Sequence, residues 1–211
     1  MTFYNVKLEN ALRQYIDGYR TDAERNKLKA LLASESVKTR YAVLKKVRGT
    51  EHCTTLTGVH EAAYANDLEI IKEMLNDLEI EQKYDIVKRQ DEDDETALHK
   101  AASKGSSLII CYLMDGFTPK QKYELLKLQD KSGDTALHEA ALRENTEVVE
   151  TILSAVTYEK QTKLMNIENH EQKKFTNLNP RLEFASPTLN HIGIVLIFNV
   201  YQCLVKEKRL P

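Results

Sequence analysis

Thr57-Gly-Val-His60-Glu-Ala-Ala63, Thr96-Ala-Leu-His99-Lys-Ala-Ala102 and Thr135-Ala-Leu-His138-Glu-Ala-Ala141 are three copies of one segment, each 39 residues after the last. A fixed period of this length marks a solenoid, in which supersecondary units stack because one unit alone cannot bury its apolar face. Recurrence therefore marks structure before it marks chemistry. Apolar pairs recur behind each copy: Ile70-Ile71 with Met74-Leu75, Ile109-Ile110 with Leu113-Met114, and Val148-Val149 with Ile152-Leu153. Their spacing predicts a second helix packed on a short first helix whose small alanines permit close approach. Six positions after each histidine stand Asn66, Gly105 and Glu144. The chain must turn there, and Glu tolerates positive φ less well than Gly or Asn, so the third turn is expected to be looser.

The rest of each period is patterned as well. Gln82-Lys-Tyr-Asp-Ile-Val-Lys-Arg-Gln-Asp91 and Gln121-Lys-Tyr-Glu-Leu-Leu-Lys-Leu-Gln-Asp130 match at the same offset, and Thr157 to Asn169 follows more loosely. Thr118-Pro119 offers a cap residue and then Pro at a first helical position, which predicts a short third helix as a spacer. Lys38-Thr-Arg-Tyr41-Ala-Val-Leu44 looks like the same spacer ahead of the first copy. Upstream, Leu8, Leu12, Tyr15, Ile16 and Tyr19 share a helical face, with Gly18 near its stop. Thr21-Asp-Ala-Glu24 is a capping box before Leu28, Leu31 and Leu32, and Val37, Tyr41, Leu44 and Val47 suggest a further amphipathic helix.

These motifs resemble the ankyrin repeat family, whose pattern is a turn, Thr-Pro-Leu-His-x-Ala-Ala, a turn around Gly, and a second helix ending in paired leucines. The resemblance covers residues 53 to 155. Proline is replaced by Gly58, Ala97 and Ala136, and the period exceeds the family's length of about 33. The implied fold is an all-α, ankyrin-type helical repeat solenoid. Residues 1–50 form an N-terminal helical region that caps or adjoins it, and residues 53–173 form the repeat block. Its repeats span about 53–90, 91–129 and 130–168, followed by the start of an incomplete fourth. There Ile167-Glu-Asn-His-Glu-Gln172 sits where the next hairpin belongs, but Asn177 occupies the place of a fourth histidine. Residues 174–211 are read as an irregular, non-repeat tail.

The resemblance makes Thr57, His60, Thr96, His99, Gly105, Thr135 and His138 structural, each histidine being held by its Thr hydroxyl and by backbone of a neighbouring turn. It implies a non-enzymatic scaffold or adaptor that binds protein partners through hairpin tips and the concave face of the first helices. Glu92, Asp93, Lys100, Lys104, Lys131, Ser132, Glu139 and Arg143 match those positions.

The net charge of −2 hides a segregation. Residues 1–50 hold 11 basic and 5 acidic side chains, residues 51–150 hold 11 and 22, and residues 151–211 hold 8 and 5. An acidic centre repels phosphate, so nucleic acid is excluded there and a partner with a basic surface is favoured. No catalytic, cofactor-binding or metal-binding residues are expected. Histidines one repeat apart cannot converge on one ion. Asp91-Glu-Asp-Asp-Glu95 begins like a calcium loop but has Thr96 and Ala102 where that loop needs Gly and a bidentate Glu, and it is read as a solvated hairpin tip.

Cys53, Cys111 and Cys203 have no paired or metal-like spacing, and Cys53 and Cys111 are read as small residues near or in the packing. Together with an N-terminus lacking a signal-peptide pattern, this gives a cytoplasmic expectation with the nucleus as alternative. The apolar segment 192–205 is 14 residues long, contains Asn199 and Gln202, and is closed by Lys206-Glu-Lys-Arg209. It falls short of the roughly 20 residues that span a bilayer, so a buried terminal element is expected. A membrane-tethered adaptor anchored by that segment is the alternative.

Overall fold

The computed structural model describes residues 5–17, 21–46 and 57–174. Among them the helices are α1 (Val6–Ile16), α2 (Asp22–Ser34), α3 (Val37–Lys46), α4 (Gly58–Tyr64), α5 (Leu68–Leu75), α6 (Ile80–Val87), α7 (Ala97–Ser103), α8 (Ser107–Met114), α9 (Pro119–Leu126), α10 (Ala136–Leu142), α11 (Thr146–Ser154) and α12 (Tyr158–Met165). They run in rounds of first helix, second helix and spacer helix. The described residues thus form an all-α repeat solenoid, with one β-bridge between Glu168 and Lys174. Tyr19, Val47, Cys53 and the tail from residue 175, including segment 192–205, lie outside the described residues. Among the described residues, no helix is long and apolar enough to cross a membrane.

Local chemistry sets the helix ends. Thr21 and Glu24 form a reciprocal capping box at α2, and Thr118 with Gln121 does the same at α9 ahead of Pro119. The turns between first and second helices close alike at Asn66, Gly105 and Glu144, whose φ angles are 57°, 73° and 59°. Glu144 N–H donates to Ala141 O at 3.1 Å and Asn145 N–H to Ala140 O at 2.9 Å, matching Gly105 to Ala102 and Ser106 to Ala101. The third turn is therefore as tight as the others, contrary to the sequence expectation. The two hydrogen bonds of this helix end satisfy orphan carbonyls and offset the left-handed backbone's cost of about 1–2 kcal/mol.

Packing explains the small residues. Ala62, Ala63, Ala101, Ala102, Ala140 and Ala141 are fully buried where α4, α7 and α10 stack side by side. Gly58 stands where the later copies have Ala, and a Cβ there would lie 2.5 Å from Leu12 Cδ1, because α1 presses against α4. The upstream helices thus continue the stack: α1 packs on α4, α2 on α5 and α3 on α6. Arg25 fastens this end, donating through Nη2 to Asp67 Oδ1 at 2.8 Å, while the same carboxylate caps α5 by accepting from Ile70 N–H.

Leu78, Phe117 and Val156 turn inward just before α6, α9 and α12, and attach the spacers to the core. A second attachment was not foreseen. Arg40, on α3, donates to Glu73 O at 2.6 Å and Asn76 O at 2.9 Å, at the C-terminal end of α5. Lys83, on α6, repeats this on α8, donating to Tyr112 O at 2.7 Å and Asp115 O at 2.9 Å. Each cation meets carbonyls left orphaned at a helix end, where the helix dipole is negative. The signal was a basic residue directly before each spacer tyrosine: Arg40-Tyr41, Lys83-Tyr84 and Lys122-Tyr123.

Lys83→Met should lower unfolding free energy in urea by about 1–3 kcal/mol, because the apolar stem remains but two carbonyls lose their donor. Lys122→Met should stay within about 0.5 kcal/mol of the parent. Equal losses for the two would show that the carbonyl contacts of Lys83 contribute nothing beyond its stem.

Candidate functional site

Each motif histidine is buried and bonded at both ring nitrogens. Nδ1 faces its own threonine hydroxyl at 2.7 Å for Thr57–His60 and 2.8 Å for Thr96–His99 and Thr135–His138. Nε2 reaches 35 residues ahead to Glu95 O at 3.1 Å, Asp134 O at 3.2 Å and Lys173 O at 3.3 Å. A carbonyl only accepts, so Nε2 carries the proton and Nδ1 accepts, receiving also the amides of Thr96 and Thr135. Burial pushes the His60 pKa down to about 4 and lowers those of His99 and His138. Held neutral and saturated with partners, these rings have no free lone pair for a metal or a proton transfer.

The carbonyls that receive them belong to hairpins built on one side chain each. Asp91 Oδ1 accepts from the amides of Asp93 and Glu95, Asp130 Oδ1 from Ser132 and Asp134, and Asn169 Oδ1 from Glu171 and Lys173. The hairpin that opens the incomplete fourth unit therefore forms, although no fourth motif follows it within the described residues. Tips are stitched in series, Lys131 N–H donating to Asp93 O and His170 N–H to Ser132 O, both at 3.0 Å. Gln90 and Gln129 bridge neighbours too, their amides reaching Gln129 O and Glu168 O. Their role was missed, although the Gln-Asp dipeptide before each of the first two tips was visible.

Of the residues matched to the binding face, Asp93, Lys131 and Ser132 are exposed at the tips, with Glu92 half-exposed beside them. Lys104 and Arg143 are the exposed C-caps of α7 and α10, and Lys104 Nζ lies 3.9 Å from the Tyr64 ring centroid. Lys100 and Glu139 occupy equivalent positions beside successive hairpins but do different things. Lys100 pairs with Asp91 at 2.9 Å and with Glu95. Burial disfavours ionising Asp91, yet the Lys100 ammonium outweighs it and holds the carboxyl below its usual range. This ammonium fills the Asp91–Asp93–Glu95 cluster, as a calcium ion would have to. Glu139 instead joins Asp130 and Asp134, with ligand oxygens of the three within 4.8 Å of one another. Its pKa is raised, first by burial and then by Glu95, while Arg143 opposes.

The family model for ankyrin repeats (3 copies) matches residues 23–124 and 59–164. The chain belongs to the ankyrin repeat family. The first match begins within α2, ahead of the first motif copy, in keeping with the stacking of the upstream helices on the ankyrin array. Among solved structures, the chain is similar to one in the crystal structure of the yeast ribosomal protein Rps3 in complex with its chaperone Yar1. That match has 21% identity and a TM-score of 0.49 over 59% of this chain and 81% of the other. Among curated proteins, none matches. Cys111 departs from its expected place in the packing and is exposed on α8.

The neutral histidines give the ankyrin stack an acid limit. Their pKa values are depressed on folding, so their contribution is complete above the unfolded value of about 6.5 and is lost as pH falls toward the folded value. For His60 the loss at pH 5 is of the order of 2 kcal/mol. Urea midpoints should therefore fall between pH 7 and pH 5, before the depressed carboxyls of Asp67, Asp85 and Asp91 protonate. His99→Gln should flatten that slope, and a midpoint unchanged across this window would show that the rings are solvated.

Proposed function

We propose that this ankyrin array is a non-enzymatic scaffold or adaptor that binds a protein with a basic surface through its hairpin tips and the concave face of α4, α7 and α10. In this reading residues 53–173 are the binding block, residues 1–50 its cap, and the cytosol its location with the nucleus as alternative. A charge swap in register supports the reading best. Where Lys100 neutralises one hairpin's carboxylates, Glu139 adds a further acid to the next, and no cation of the described residues pairs with Glu139 as Lys100 pairs with Glu95. A half-buried carboxylate among other carboxylates is costly for the free protein, and a partner's Lys or Arg would relieve that cost on binding. The excess of 22 acidic over 11 basic residues between 51 and 150 would steer such a partner toward this face. Glu92 and Asp93 at the first tip extend the acidic band, Lys131 and Ser132 offer polar contacts at the second, and Lys104 and Arg143 would take acidic groups farther along.

Fluorescein-labelled octalysine is a suitable probe of this face. Glu139→Lys should weaken its binding by about tenfold or more, steeply so at low salt. The same substitution should raise the melting temperature by a few degrees, since a lysine beside Asp130 and Asp134 would pair as Lys100 does with Asp91 and Glu95. Glu81→Lys, an exposed reversal on α6, serves as the control. Loss of binding on Glu81→Lys with none on Glu139→Lys would place the interaction elsewhere.

A further inference from the structure

The outer face of the second helices also repeats in rows. Glu69, Leu108 and Glu147 form one row, Lys72, Cys111 and Glu150 the next, and Glu73, Tyr112 and Thr151 a third. On α5 and α11 every one of these positions is polar or charged, while α8 places Leu108, Cys111 and Tyr112 there. Leu108 is 70% exposed and Cys111 is exposed, with Tyr112 partly buried beside them. Stacking does not require this island. The inward side of α8 is already filled by Ile109, Ile110, Leu113 and Met114, in register with Ile70, Ile71, Met74 and Leu75 of α5.

Carboxylates rim the island. At the α11 edge, Ser107 Oγ donates to Glu147 Oε1 at 2.5 Å, which places that acid against the start of α8. At the other end, Asp77 and Asp115 are exposed and Glu73 is half-exposed, with Asp77 4.0 Å from Arg40; burial raises the Tyr112 pKa and these three acids raise it further, while Arg40 opposes. The neighbouring cations are mostly engaged. Arg40 and Lys83 serve helix-end carbonyls, and Lys29 pairs with Glu69 at 3.1 Å, which leaves Lys72 as the exposed cation of the three rows.

We propose that the outer face of α8 is a second docking surface, which takes a protein segment carrying an aliphatic or aromatic side chain flanked by Lys or Arg. The anchor would cover Leu108 and Cys111 against the Tyr112 ring, and the flanking cations would meet Glu147 and Glu150 on one side and Glu73, Asp77 and Asp115 on the other. An exposed apolar patch rimmed by polar groups is the signature of an interaction site, and the sign of this rim selects a basic protein segment over an anionic membrane surface. The surface is independent of the tip-side reading, since none of its residues contributes to the tips or first helices.

A phage-displayed random peptide library selected on the full chain tests the assignment. The expected peptides carry an apolar residue flanked by Lys or Arg, lose about tenfold or more in affinity on Leu108→Lys, and bind normally to Leu108→Met and Glu139→Lys. Circular dichroism melts of all three variants confirm that the array remains folded. Selected peptides without basic residues, or binding indifferent to Leu108, would overturn the proposal. So would a concentration-dependent dimer abolished by Leu108→Lys in sedimentation, which would give the face to a second copy of the chain.

Discussion

Each motif histidine spans two successive units, and the order of the array depends on that span. Its ring takes a hydrogen bond from a threonine at the start of its own first helix and gives one to a carbonyl 35 residues ahead, at the base of the next hairpin. The imidazole is rigid, so the gap it bridges is the same in all three copies. Whatever lies between helix pair and hairpin must return the chain to that carbonyl. The additional residues of this long period are accordingly absorbed into spacer helices, whose ends are tied down by Arg40, Lys83, Leu78, Phe117 and Val156. The repeat is lengthened without disturbing the clamp.

Around the clamp, charge is handled in two ways. Structural acids are matched locally: Asp67 by Arg25, Asp91 by Lys100, and Asp85 by the Tyr41 hydroxyl and Lys45. Glu139 stands in register with Lys100 and Glu61, so this position carries a lysine in one copy and an acid in two, and α8 has taken apolar residues where its neighbours are polar or charged. Both variations sit at exposed or half-exposed positions, where the stack imposes no requirement. They are therefore the places where a repeat protein is free to specify partners, and they lie on different faces.

Much of this architecture was legible because a solenoid writes each structural need several times. The close-packed alanines followed from spacing and the capped spacer from the residue types at Thr118-Pro119, while the Thr–His pairs were what the family resemblance implied. The tightness of the Glu144 turn did not, because residue preference at one position gives no account of two backbone hydrogen bonds that close the turn regardless of side chain. Arg40 and Lys83 were hidden for a different reason. A lysine on a helix reads as a solvated charge, and only the tertiary placement of a neighbouring helix end turns it into a cap. Cys111 was misplaced because a small apolar residue in an apolar helix reads as core until the face it occupies is known. Of the candidate site, the tip and first-helix positions were visible as matches to the family pattern, whereas the opposed roles of Lys100 and Glu139 required the hairpin geometry.

The most direct test of the clamp is nitrogen-15 NMR of the imidazole rings in the full chain. If each ring accepts at Nδ1 and donates from Nε2 to the next hairpin, His60, His99 and His138 will show the neutral Nε2-protonated tautomer at neutral pH, His60 will keep it at pH 5.5, and His99 and His138 will titrate below the ordinary histidine pKa of about 6.5. Three rings that titrate near 6.5, or that average between tautomers, would contradict the account, because a histidine free to do either is not holding two repeats together.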